Sequence, residues 1–125
     1  MKDKCYFYKA QVTKVTDGDT VIADIDVGFG FKTSKTHIRL AGIDTAETRS
    51  KDEAIKKKGE EAKAWLKDLI EGKEIYVESQ GIDKYGRVLA KIYTLDGVCC
   101  NEELVKTGLA LRYDGGKKQQ ELLKG

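Results

Sequence analysis

The chain has no proline among its 125 residues. Glycine must therefore carry the punctuation between elements, since one of the two usual turn formers is missing. Cysteine is scarce and odd in number, at three. Cys99 and Cys100 are adjacent, where an ordinary disulfide would strain its geometry. His37 is the single histidine, so no zinc-ligand spacing exists, and the cysteines read as buried or half-buried thiols of a reducing compartment. No apolar run approaches the ~18 residues that a membrane-spanning helix needs. The opening MKDKCYFY has neither an apolar h-region nor a small-residue cleavage site, so no signal peptide is expected. The chain as given reads as cytoplasmic, or as secreted if it is processed or cut from a longer precursor. Neither sign of charge dominates: 23 basic and 21 acidic residues leave a net charge of +2. That balance is too even to predict a nucleic-acid partner by itself. The short basic runs Lys56 to Lys58 and Lys117–Lys118 read as solvated faces.

What is present is a pattern of short strands. Residues 1–125 fit one domain with one core. Residues 6–15 alternate apolar and polar, Asp17-Gly18 turns the chain, and residues 21–27 alternate again. A glycine turn over residues 28–30 leads to a third strand over residues 35–40. Three strands joined this way predict an antiparallel meander. The polar stretch TRSKDEAIKKKG after Glu47 reads as a mobile surface loop. From Glu60 the spacing becomes helical, with Ala62, Trp65, Leu66, Leu69 and Ile70 on one face until Gly72. Residues 74–79 and 88–93 read as two further strands, separated by the turn 83–87. A short helix follows over residues 101–107, stopped by Gly108, and a brief one within residues 117–124. The expected class is α+β and mainly β: a partly open, five-stranded Greek-key barrel of the OB type, with one long and two short helices.

Three segments place charge where turn chemistry is expected: DGDT at 17–20, RLAGIDTAE at 39–47 and DKYGR at 83–87. Asp19, Asp44 and the carbonyl of Thr45 offer hard oxygen ligands, few in number, which suit calcium or magnesium better than a transition metal. The sequence does not separate the two ions. Asp-Gly is also a common hairpin signal, and for Asp17 a plain turn role is the preferred reading. Arg39 alternates with Ile38 and Leu40 in its strand and points inward or across the barrel mouth. Its planar fork of donors matches a phosphate, and Arg87 reaches the same phosphate from another side. The bland alternative pairs each arginine with a nearby acid such as Asp83 or Asp24. Glu47, just past Asp44, is the candidate general base for an attacking water.

In this order, over about residues 12–113, these segments resemble the staphylococcal nuclease (thermonuclease) family. The resemblance implies the same OB-type fold independently of the strand count. It implies calcium as the metal, with Glu47 reaching the ion or its water shell. It also implies that Lys84, Tyr85 and Tyr113 flank the nucleotide, where a ring can stack on any base. Two departures stand out. Ala46 occupies a position where the family commonly has proline, which loosens the aim of Glu47. The chain also ends at Gly125, within what is a longer helix in the family. The expected activity is calcium-dependent hydrolysis of single-stranded or locally opened DNA and RNA with little sequence preference. The expected state is a monomer with no membrane and no obligate protein partner. The alternative is a catalytically weak nucleic-acid-binding module of the same fold, against which the joint presence of Asp19, Arg39, Asp44, Glu47 and Arg87 argues.

Overall fold

The computed structural model describes residues 6–46, 48 and 50–112. Alternation builds the first hairpin: β1 (Phe7–Asp17) and β2 (Thr20–Gly28) pair antiparallel. Ala10, Val12 and Val15 of β1, with Val21, Ala23 and Ile25 of β2, turn to the core. The short β3 (Phe31–Lys32) extends the hairpin, and β4 (Thr36–Leu40) returns along β2 from Ala23 to Thr20. The expected meander is present, with β3 inserted before its last strand.

β6 (Glu74–Ile82) pairs antiparallel with β1 and with β7 (Val88–Thr94). β7 then lies parallel to β4, with Arg39 opposite Leu89. The ring β1–β6–β7–β4–β2–β1 is therefore complete, more closed than the partly open barrel expected. Closure satisfies strand edges that would otherwise offer unpaired backbone groups to another chain. Two very short strands, β5 (Ile43–Thr45) and β8 (Ala110–Arg112), form a separate antiparallel pair beside the barrel.

The long helix α1 (Glu53–Ile70) starts well before residue 60, so much of the expected surface loop is helical. Asp52 causes this: its Oδ1 accepts from the N–H groups of Ala54 at 2.9 Å and Ile55 at 3.4 Å, satisfying donors that a helix start leaves unpaired. The lysine run behind the cap hides the amphipathic pattern, which emerges as buried Gly59, Ala62, Leu66 and Ile70. Trp65 and Leu69 pack half-buried against the same core. The short helix α2 (Cys100–Lys106) buries Cys100, Asn101 and Leu104. Burial, and then the neighbouring Cys99, push the Cys100 thiol up to about 12, which leaves it an inert thiol at neutral pH. The expected last helix lies outside the described residues. Among the described residues no helix is long and apolar enough to cross a membrane.

Candidate active site

The turn between β1 and β2 is the first wall of the site. Asp17 pairs with Thr20 across it, which leaves Gly18 and Asp19 as the loop. The backbone carbonyl of Asp19 accepts from Leu40 N–H at 2.8 Å, tying the turn to the end of β4. Its carboxylate is held from two sides. Thr20 Oγ1 donates to Oδ1 at 3.0 Å, and the Thr45 N–H donates to Oδ2 at 3.2 Å. Asp19 and Thr45 are both buried, so the acid is aimed rather than free to sweep.

Arg39 joins this acid to the next. Ile38 and Leu40 bury their side chains in the core, so alternation sends Arg39 out of the opposite face. Its Nη1 lies 3.5 Å from Asp19 Oδ2, and its Nη2 lies 3.3 Å from Asp44 Oδ1. Nη1 also donates to the Leu40 carbonyl at 2.9 Å, which folds the guanidinium back over the end of its own strand. Asp44 stands in β5, just past Gly42, whose φ of 77° is the left-handed turn that glycine adopts without strain. The bland alternative for Arg39 thus holds in part, with different partners. It pairs with acids, and they are the two carboxylates singled out as metal ligands.

Arg87 arrives by a separate route. The turn before β7 closes on Asp83, whose Oδ1 accepts from the N–H groups of Tyr85 and Arg87, both at 2.9 Å. Its Oδ2 accepts from Arg87 Nε at 2.8 Å. Burial pushes the Asp83 carboxyl up, but those two N–H groups and the Arg87 guanidinium outweigh it and hold the group below its ordinary range. Only Nε is engaged, so among the described residues neither terminal nitrogen of Arg87 has a hydrogen-bond partner. The Tyr85 ring, 72% exposed, has Arg87 Cζ 5.2 Å and Lys84 Nζ 5.5 Å from its centroid, within cation–π range.

The parallel pairing of β4 with β7 unites the two halves. Arg39 faces Leu89 across the ladder, and Arg87 shares the face of Leu89 because strand side chains repeat every second residue. Both guanidiniums accordingly line one cleft of about 470 Å³, together with Asp83, Lys84, Tyr85 and Leu89. Arg39, Arg87, Lys84 and Tyr85 are thus together, and Asp19, Asp44 and Thr45 adjoin them through Arg39. Glu47 and Tyr113 lie outside the described residues.

The donors gathered here are hard oxygens. Asp19 and Asp44 bring carboxylate oxygens to one guanidinium, and Asp17 adds a feature that the sequence reading assigned only to turn shape. Its Oδ1 is buried without a hydrogen-bond partner among the described residues. Burial and then the adjacent Asp19 push its carboxyl above the ordinary range. Crowded acids with an orphaned oxygen are the surroundings in which a cation is electrostatically favoured. Among the described residues no group of three or more histidine, cysteine, aspartate or glutamate side chains is arranged to hold a metal.

Comparison with known proteins identifies the family of the chain. Residues 37–124, more than half of the chain, match the model of the staphylococcal nuclease homologue family. The chain is 34% identical over 102 residues to a thermonuclease of Staphylococcus hyicus, covering 80% of this chain and 56% of that protein. It is 32% identical over 117 residues to an endonuclease of Saprolegnia parasitica, covering 84% of this chain and 56% of the relative. A probable endonuclease of Komagataella phaffii is 27% identical over 125 residues, covering 83% and 55%. The chain spans about half the length of these relatives. With the barrel, the paired arginines and the matched span in view, the chain belongs to the staphylococcal nuclease family.

Proposed function

We propose that the protein hydrolyses phosphodiester bonds of single-stranded or locally opened DNA and RNA, as a calcium-dependent monomer with little sequence preference. The observation that carries this reading is that Arg39 and Arg87 line one cleft, with Asp19 and Asp44 3.5 and 3.3 Å from the Arg39 guanidinium. The relatives named as nucleases support it. Guanidinium groups meeting from two strands present fixed donors to the non-bridging oxygens of a phosphate. Such donors stabilise most where charge builds on phosphorus during attack. Arg87 is oriented by Asp83 and has its terminal nitrogens available, whereas Arg39 divides its fork between two carboxylates and the incoming phosphate. Calcium held by Asp19, Asp44 and the Thr45 carbonyl would act as a Lewis acid on a phosphoryl oxygen. Glu47 takes the proton of the attacking water as its oxygen bonds to phosphorus, the ester P–O bond breaks, and the released alkoxide is protonated from solvent. Tyr85 and Lys84 flank the nucleotide, and a stacked ring does not discriminate between bases.

The test is digestion of single-stranded DNA with calcium, with magnesium and with chelator, alongside Glu47→Gln. Cleavage should require calcium, and Glu47→Gln should slow it by about a hundredfold or more. Undiminished cleavage in chelator, or near-normal turnover by the variant, contradicts this assignment. Binding of the strand without cleavage in any metal identifies a binding module instead.

A further inference from the structure

We propose that the hairpin tip joining β2 and β3 is a second contact for a single-stranded nucleic acid, a stacking platform reached along the outer face of β4. This rests on the reading of the cleft as a nucleic-acid site. Phe29 at the tip is 98% exposed and Phe31 is 68% exposed. The backbone enforces that exposure: Phe29 has φ 58°, between Gly28 at 93° and Gly30 at 81°. A bulky residue rarely accepts the left-handed region. Two bare aromatic side chains, one residue apart on a single hairpin tip, make an exposed apolar patch of the kind that marks an interaction site.

Basic side chains stand along the way from the cleft to these rings. Ile38 and Leu40 are buried, so His37 and Arg39 lie on the outer face of β4. His37 and Lys35 are both exposed. Lys35 immediately precedes β4, in a bend where its φ is 49°. The tip lies about 26 Å along β2 from Thr20, the cross-strand neighbour of Arg39, at ~3.3 Å per residue. Lys9 and Lys32 flank Asp26 across the neighbouring strands. Two acids on this face are tied to the hairpin backbone: Asp24 Oδ1 accepts from Lys35 N–H at 2.8 Å, and Asp26 Oδ1 from Gly28 N–H at 2.9 Å; a third, Glu74, stands with them beside Lys9 and Lys32. Among the described residues Lys9, Lys32 and Lys35 form no ion pair. Ammonium groups are thus open to phosphates along the path, and rings to bases at its end. Footprints of about 4–16 nucleotides per OB-type fold reach well beyond a single scissile phosphate. Continuity with the cleft through Arg39 favours a strand over an anionic bilayer.

Binding of labelled strands of ~4 and ~20 nucleotides is measured by fluorescence anisotropy in chelator. The protein is compared with Phe29→Leu plus Phe31→Leu and with Phe29→Tyr plus Phe31→Tyr. Leucine keeps the apolar character and removes the stacking face, whereas tyrosine keeps the face. The leucine pair should weaken the long strand by about tenfold or more and leave the short strand unchanged, and the tyrosine pair should bind both normally. With long substrate and calcium, the leucine pair should raise KM without changing kcat. Unchanged long-strand binding by a leucine pair that melts normally overturns the proposal. Ring-dependent sedimentation with phosphatidylserine vesicles, with strand binding unmoved, also overturns it. Ring-dependent strand binding without any cleavage contradicts the nuclease reading and leaves this one standing.

Discussion

Gly18 is a glycine for lack of space. A Cβ built on it would lie 2.7 Å from the Cβ of Ala62 and 3.1 Å from Thr45 Oγ1, so helix α1 and strand β5 both press on the turn that presents Asp19. Gly18→Ala should cost about 1–3 kcal/mol in urea unfolding and slow cleavage by displacing Asp19. Ala62→Gly, itself costing about 1 kcal/mol as a helix glycine, should recover part of the loss when combined with it. Strict additivity of the two would contradict the contact. The sequence shows Asp17-Gly18 as a turn but cannot show this crowding, which comes from residues remote along the chain. Asn101 was equally hidden. It reads as the first residue of a short helix, yet its Oδ1 accepts from Ile92 N–H at 3.0 Å and its Nδ2 donates to the Ala41 and Ala90 carbonyls at 2.8 and 3.2 Å. It thereby pins α2 to β7 and to the loop that leads into β5.

Among the elements, the turn before β7 was legible because DKYGR contains its own chemistry: an acid positioned to bond the N–H groups two and four residues on. Its pH behaviour follows. The Asp83 carboxyl is held below its ordinary value of 3.8. A depressed carboxyl contributes stability that is present above the unfolded value and lost as pH falls through the folded one. Asp83→Asn should therefore lower the urea midpoint at pH 7, and the deficit should shrink as pH is taken below about 3.8. A deficit unchanged down to pH ~2 would show that the carboxylate charge is not what holds the turn. Helix α1 was half legible. Its carboxy-terminal turns carry the apolar spacing, while its first turns rest on the Asp52 cap and are masked by lysines. The parallel partnership of β4 and β7 was not legible at all, because alternation identifies a strand without naming its neighbour.

At the scale of the whole molecule, five alternating strands and one amphipathic helix were enough to specify a barrel, and three charged segments were enough to point to a family. The missing link was closure. The ring sets β7 against β4, and this one pairing brings arginines far apart along the chain into the lining of a single cleft. The central claim is that both guanidiniums serve one phosphate. The most direct measurement is single-turnover cleavage of single-stranded DNA by Arg39→Ala, Arg87→Ala and the double variant, each checked for an intact melting transition. Each single change should slow cleavage by about a hundredfold or more, and the double should be slower than either by less than the product of the two losses. Near-normal cleavage by either folded single variant would contradict the account.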